Sequence, residues 1–255
     1  MEDLKNLFDS YSRQARLFPA LLTIFAPLLT ALAWFPELLT SHLGSTLLTI
    51  ATSCGLLYWL SSIARSRGKQ VEQRVLQEWG GWPTTYLLRH ASRLDAHTRD
   101  RYHRYLGHHA PNLVLPSPAA ERSNPDAADA AYASAIKWLK EHVRGKASLV
   151  DKENAQYGFR RNMRGMKAFG LVGAVIALLA SLASIGLQIE SWPHTLGDVR
   201  PFVTQLREAA NSAIWGSIIF DVLACLAWAC AVTDAWVKAG AEQYAEVLLA
   251  TMDRS

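Results

Sequence analysis

The chain has 255 residues, 50% of them hydrophobic and 19% charged, and a formal net charge of +4. Its mean hydropathy is +0.05. These values exclude a disordered chain, a collagen and a disulfide-stapled mini-protein, but leave a soluble helical protein and a small membrane protein side by side.

The distribution of apolar residues separates the two. Leu17 to Ala64 holds one formal charge, Glu37; Ala168 to Ile189 holds none; Ala209 to Val237 holds two, Asp221 and Asp234. Residues 65–167 carry 19 Lys or Arg against 10 Asp or Glu, a net of +9, while the rest carries 7 against 12, a net of −5. A bilayer core takes roughly 20 apolar residues as helix, and soluble helices of that length carry a charged face. The apolar runs therefore read as spans.

In chain order, residues 1–16 form a tail with Lys5, Arg13 and Arg16. A hairpin over 17–64 follows, with spans at about 17–36 and 43–64 and a turn at Pro36-Glu37. The first span is expected to stay uncleaved: six charges precede it, and no small-residue cleavage site follows a short apolar core. Pro19 and Pro27 are tolerable in a membrane helix, where neighbours satisfy the freed carbonyls.

Residues 65–167 read as a basic helical domain. Arg67 to Trp79 continues out of span two as a helix, stopped by Gly80-Gly81 and Pro83. Thr84 or Thr85 is placed to cap the segment YLLRHASRL. Leu94 to Leu106 is rich in Arg, His and Tyr, and 110–118 is a connector. Asp126 to Val143 has a helical period through Ala131, Ala135, Trp138, Leu139 and His142. Asn154 to Lys167 leads into a second hairpin over 168–237, with spans at about 168–188 and 213–237. Residues 238–255 form an amphipathic helix with Tyr244, Val247, Leu248 and Met252 on one side. No strand pattern is evident. The fold class is an all-α membrane protein, with two transmembrane helical hairpins flanking a basic cytoplasmic domain.

Basic residues cluster in the tails and the central block and avoid the turn after span one, which places both termini and the block in the cytoplasm. Trp34, Trp59, Trp192 and Trp236 lie near span ends as interface anchors. Cys54, Cys225 and Cys230 all fall within spans, so no disulfide framework is implied.

No catalytic constellation stands out, and neither an enzyme, a metal nor a cofactor is expected. His103, His108 and His109 lie near Asp95 and Asp100 without metal-ligand spacing, and read more simply as solvated or phosphate-facing histidines. The basic clusters say more. Arg160, Arg161, Arg164 and Lys167 lie beside Tyr157 and Phe159. Arg89, Arg93, Arg99, Arg101 and Arg104 are interleaved with Tyr102 and Tyr105. Guanidinium forks suit phosphates and aromatic rings stack bases, so an anionic, oligonucleotide-like ligand fits. Juxtamembrane basics also touch anionic lipid, and for the Arg160–Lys167 cluster both readings stay open.

Asp221 lies inside span four, where a carboxylate faces either a partner or a water-filled path. Ser45, Thr49, Thr52 and Ser53 form a hydroxyl stripe on span two that lines a conduit or bonds a neighbouring helix. Gly170, Gly173, Ala177, Ser181 and Ser184 give span three a small-residue face for close helix contact. Four spans make a thin bundle, so a central pore would need a homo-oligomer, with a tetramer as first guess.

The segment Glu78-Trp-Gly-Gly-Trp-Pro-Thr-Thr-Tyr-Leu-Leu-Arg89 and the segment Tyr157-Gly-Phe-Arg-Arg-Asn162 resemble a family of bacterial four-span proteins with W-G-G-x-P-T-T-x-x-L-R and Y-G-F-R-R-N motifs. The resemblance covers about residues 60 to 190 and extends to the membrane effectors of the Hailong anti-phage system. It implies an inner-membrane ion channel gated by single-stranded DNA oligomers, which a companion nucleotidyltransferase makes and which hold the channel shut. The motif positions Trp79, Gly80, Gly81, Pro83, Thr84, Thr85, Arg89, Tyr157, Gly158, Arg160, Arg161 and Asn162 become candidates either for ligand contact or for seating the cytoplasmic domain on the spans. Asn162 joins the arginines and Tyr157 as a candidate ligand residue. The alternative function is a membrane scaffold whose basic domain docks an acidic partner or anionic lipid.

Overall fold

Long apolar runs form long helices. The computed structural model describes residues 10–42, 44, 46, 55–190, 192–193 and 198–253, and among them the regular elements are all helical, with no strand. In chain order they are α1 (Ser10–Trp34) and α2 (Glu37–Thr40), then α3 (Leu56–Trp79), α4 (Pro83–Tyr86), α5 (Ala96–His109) and α6 (Pro118–Ser123). There follow α7 (Pro125–Val143), α8 (Ser148–Gly186), α9 (Val199–Ala209), α10 (Ser212–Leu226, continued by a π turn over Ala227–Ala231) and α11 (Asp234–Leu249).

Among the described residues three helices are long and apolar enough to cross a membrane: Ser10–Trp34, Ser148–Gly186 and Ser212–Ala231. Of the expected span at 43–64, residues 43, 45 and 47–54 lie outside the described residues, and Leu56 onward is helical. At 39 residues, α8 has a length of about 58 Å at 1.5 Å per residue, well beyond a bilayer core of about 30 Å. Its polar first half and apolar second half share one uninterrupted helix.

The chain divides into two compact units. An apolar unit comprises the described parts of Met1–Gly68 and Asn162–Thr233; a basic unit comprises Lys69–Arg161 and the described part of Asp234–Ser255.

In the apolar unit, α1 is tied to its neighbours by polar side chains. Thr30 Oγ1 donates to Asp221 Oδ2 on α10 at 2.7 Å. Trp34 Nε1 donates to Ser181 Oγ on α8 at 3.0 Å. Pro19 has no amide hydrogen for the carbonyl of Ala15 four residues back, and Asn162 Nδ2 donates to that carbonyl at 2.6 Å. The small face of α8 is a contact face: Gly170 backs onto the Trp228 ring, and Gly173 faces Pro27 and the Thr23 carbonyl.

The apolar helix at the expected span 213–237 is shorter than its sequence pattern, running over Ser212–Ala231. The helix leaves α geometry at Ala227 and stops at Ala231, and Asp234 begins α11 in the basic unit. Lys167 Nζ donates to the carbonyls of Ala229 (2.8 Å) and Val232 (3.0 Å), which the ended helix leaves without amide partners.

In the basic unit, α4, α5, α7, the first turns of α8 and α11 enclose a core that includes Leu87, Leu88, Leu106, Tyr132, Leu139 and Leu248, all fully buried. The Gly80-Gly81 pair ends α3 as a Schellman motif: Gly81 N bonds Leu76 O and Gly80 N bonds Gln77 O, with φ of +117° and +72°. Pro83 then opens α4. Thr84 and Thr85 are buried inside that short helix rather than capping a longer one, and 87–95 runs as turns. The cap of α5 is Asp95, which accepts from Thr98 N.

Two glycines test this packing with opposite signs. A Gly→Ala change inside a helix gains about 1 kcal/mol of helix propensity. At Gly165, however, the added Cβ stands 2.5 Å from Gly68 N and 2.6 Å from Arg67 C, backbone atoms that cannot swing aside. At Gly107 nothing lies within 4 Å. Thermal unfolding in detergent is expected to show a lower Tm for Gly165→Ala and a raised one for Gly107→Ala.

Candidate functional site

Several of the arginines that the sequence marks as ligand candidates, Arg89, Arg93, Arg101 and Arg161, face carboxylates inside the basic unit. Arg89 Nε donates to Asp129 Oδ1 at 2.7 Å, its Nη2 pairs with Asp129 Oδ2, and Nη2 also reaches the Gly80 carbonyl. The W-G-G-x-P-T-T-x-x-L-R segment is thus a helix stop and restart, closed by its own terminal arginine. Arg93 pairs with Glu242 (3.4 Å) and Glu246 (2.7 Å) on α11. Arg101 pairs with Asp253 at 3.1 Å. Arg104 is exposed and reaches only the Asp100 carbonyl.

The second motif is also internally engaged. Arg161 Nη1 and the Tyr157 hydroxyl both donate to Glu72 Oε1, at 2.7 and 2.8 Å. The Arg161 and Glu72 side chains are 11% and 14% exposed, so the pair is largely withdrawn from water. Arg160 donates to the Trp236 carbonyl and lies over the Trp236 ring, 5.4 Å from its centroid. Its side chain fills the space beside Gly240, where an added Cβ would stand 2.8 Å from Arg160 Cδ. In the apolar unit, Asn162 is fully buried on the Ala15 carbonyl, Arg164 is half-buried, and Lys167 closes the end of α10.

The histidines do not form a metal centre: among the described residues no group of three or more His, Cys, Asp or Glu is placed to hold an ion. His103 donates from Nε2 to the Leu88 carbonyl at 2.7 Å, and His109 stacks on Tyr105. Burial holds the His103 imidazole below its ordinary pKa of 6.5, with the Leu88 carbonyl pulling the other way.

Two ionisable side chains stand out among the described residues for having neither an ion-pair partner nor a full set of hydrogen bonds. The first is Asp221, fully buried among the apolar helices. Oδ2 accepts from Thr30, and Oδ1 has no hydrogen-bond partner among the described residues. The expected conduit residues on span two, Ser45, Thr49 and Thr52, lie outside the described residues.

The second is Lys140, which the sequence reading passed over. It stands four residues beyond Ile136 and eight beyond Tyr132, both buried, so it falls on the core side of α7. That spacing was the available signal. Its ammonium lies 5.5 Å from the ring centroids of both Trp82 and Tyr244. No carboxylate or hydrogen-bond acceptor partners it among the described residues. Burial pushes its pKa down, and Glu72 at a distance draws it partly back. By contrast Lys137, Lys146 and Lys152 are exposed.

No family model matches the chain, and no curated protein or solved structure matches it. The site is therefore read from its own chemistry.

Two measurements follow. Arg161→Met leaves Glu72 without its cation in a largely dry setting, a loss of about 3–5 kcal/mol for a buried pair. The expected result is a clearly lowered Tm, with Glu72→Met combined with Arg161→Met recovering much of it.

For His103, the unfolded chain takes up a proton more readily than the folded one. The stability that neutral His103 contributes is present above about pH 6.5 and is lost as pH falls below it. His103→Gln, which keeps a donor for the Leu88 carbonyl, is expected to flatten the fall in Tm on acidification.

Proposed function

We propose that the chain is a subunit of a bacterial inner-membrane ion channel whose basic helical unit binds a nucleotide-type ligand. In this reading four spans form two hairpins, both termini and the basic unit are cytoplasmic, and a homo-oligomer, with a tetramer as first guess, builds the pore. The ligand is a single-stranded DNA oligomer made by a companion nucleotidyltransferase in anti-phage defence, and it holds the channel shut. The Hailong-type part of this reading comes from the motif resemblance.

The observation that carries the channel reading is Asp221. A carboxylate withdrawn into membrane-length helices is costly. Among the described residues only one of its oxygens is hydrogen-bonded, by Thr30. That leaves one acceptor for an ion, a water file or a proton. A scaffold needs no such group.

Ion flux in proteoliposomes containing the purified full chain, with and without oligothymidylate, tests the reading. Flux is expected without the oligomer and suppression with it. Asp221→Leu is expected to change flux severalfold, while the charge-neutral, hydrogen-bonding Asp221→Asn changes it less. Absence of flux under both conditions overturns the channel reading in favour of the scaffold, which predicts that Asp221→Asn is silent in cells and that charge reversal at Arg160 and Arg161 abolishes localisation or partner capture.

A further inference from the structure

A half-buried lysine with no counter-charge on it among the described residues is an unusual feature of a basic domain. Most of the arginines around it are neutralised on the spot: Arg89 by Asp129, Arg93 by Glu242 and Glu246, Arg101 by Asp253, Arg161 by Glu72. Glu72, the carboxylate that acts on Lys140, is itself engaged by Arg161 and Tyr157. Trp82 and Tyr244 give Lys140 cation–π support without taking up its N–H donors. Such support is weaker than a charge-assisted hydrogen bond.

The Lys140 side chain opens on a cavity of about 140 Å³, whose wall also includes Arg144, Asn154, Asp151 and Tyr244. With liquid water taking about 30 Å³ per molecule, this is room for a group of phosphate size. Arg144 is held by Glu141 at 2.7 Å but is 73% exposed, so it can turn toward an incoming anion. Asn154 adds two amide N–H donors, and Asp151 at the wall offers an acceptor for a hydroxyl or amino group attached to that anion.

We propose that this cavity is a phosphate-binding site in which Lys140, with Arg144 and Asn154 beside it, receives one phosphate group of the ligand. That the phosphate belongs to an oligonucleotide rests on the channel reading above; the capture of a phosphate does not. The anion supplies the counter-charge that the fold withholds from Lys140. Trp82 belongs to the W-G-G-x-P-T-T-x-x-L-R segment, whose turn thereby places one of the two rings that flank the Lys140 ammonium.

Equilibrium binding of fluorescent oligothymidylate to the detergent-solubilised full chain, with inorganic phosphate as competitor, tests the proposal. Loss of a charge-assisted hydrogen bond of about 1.5–3 kcal/mol predicts at least a tenfold weakening in Lys140→Met. Lys140→Arg, which keeps the charge, is expected to retain most of the affinity. Lys137→Met removes an exposed charge from the same helix and is expected to change affinity less than about twofold, as one diffuse charge among many. Unchanged Tm values separate these effects from misfolding; if Lys140→Met melts early, the arginine variant and phosphate competition decide.

Equal losses in Lys140→Met and Lys137→Met overturn the site and leave the channel reading standing. Lys140-dependent binding of inorganic phosphate without oligothymidylate binding upholds the site and overturns the oligonucleotide reading. Binding of neither probe overturns both.

Discussion

A carboxylate among apolar helices has no water to solvate it, so Asp221 must be hydrogen-bonded where it stands. Thr30 supplies that bond, and in doing so fixes α1 against α10. Apolar side chains alone do not set register between membrane-length helices, because lipid tails solvate them as well as another helix does. A polar pair with one donor and one acceptor does, since displacement along the helix leaves both unsatisfied. The other inter-helix ties in this unit follow the same constraint. Trp34 finds Ser181 on the small face of α8. The carbonyl freed by Pro19 finds Asn162. The carbonyls at the end of α10 find Lys167. Each group is one that the apolar surroundings would otherwise penalise by several kcal/mol.

The basic unit resolves a related problem with charges. Its excess of arginine would repel itself, and the carboxylates that quench it come partly from α11, far along the chain. Glu242, Glu246 and Asp253 meet Arg93 and Arg101, while Glu72 and Asp129 meet Arg161 and Arg89. The C-terminal helix is therefore part of this unit's electrostatic core as well as of its apolar core, where Leu248 and Leu249 are buried. Lys140 escapes this quenching. Its stem lies on the core side of α7, and its charge meets two ring faces instead of a carboxylate.

The proposed function thus rests on what the fold leaves unsatisfied. A fully paired arginine has little left to offer a ligand, whatever its motif. Among the described residues, a buried carboxylate oxygen without a donor and a half-buried lysine without an acceptor are groups that an ion or a phosphate would satisfy.

Much of the architecture was legible in the sequence because it depends on neighbours within a few residues. Hydropathy over some twenty residues marks the apolar helices that end at Trp34, begin within α8 and end at Ala231. The Gly80-Gly81-Trp82-Pro83 run marks a helix stop and restart, since positive φ and a missing amide hydrogen are local properties. The period from Ala131 to His142 marks α7. The use of the charged residues was not legible in this way. Arg161 meets Glu72 from 89 positions away, and Arg93 meets Glu246 from 153. Nothing in either local pattern distinguishes a paired arginine from a free one. The sequence by itself determined which segments are helical and which are apolar enough for a bilayer, because backbone and transfer energies are summed along the chain. Only the tertiary structure decided that Arg89, Arg93, Arg101 and Arg161 are spent on carboxylates while Asp221 and Lys140 have no ion-pair partner among the described residues, because pairing and desolvation depend on groups brought together from distant positions.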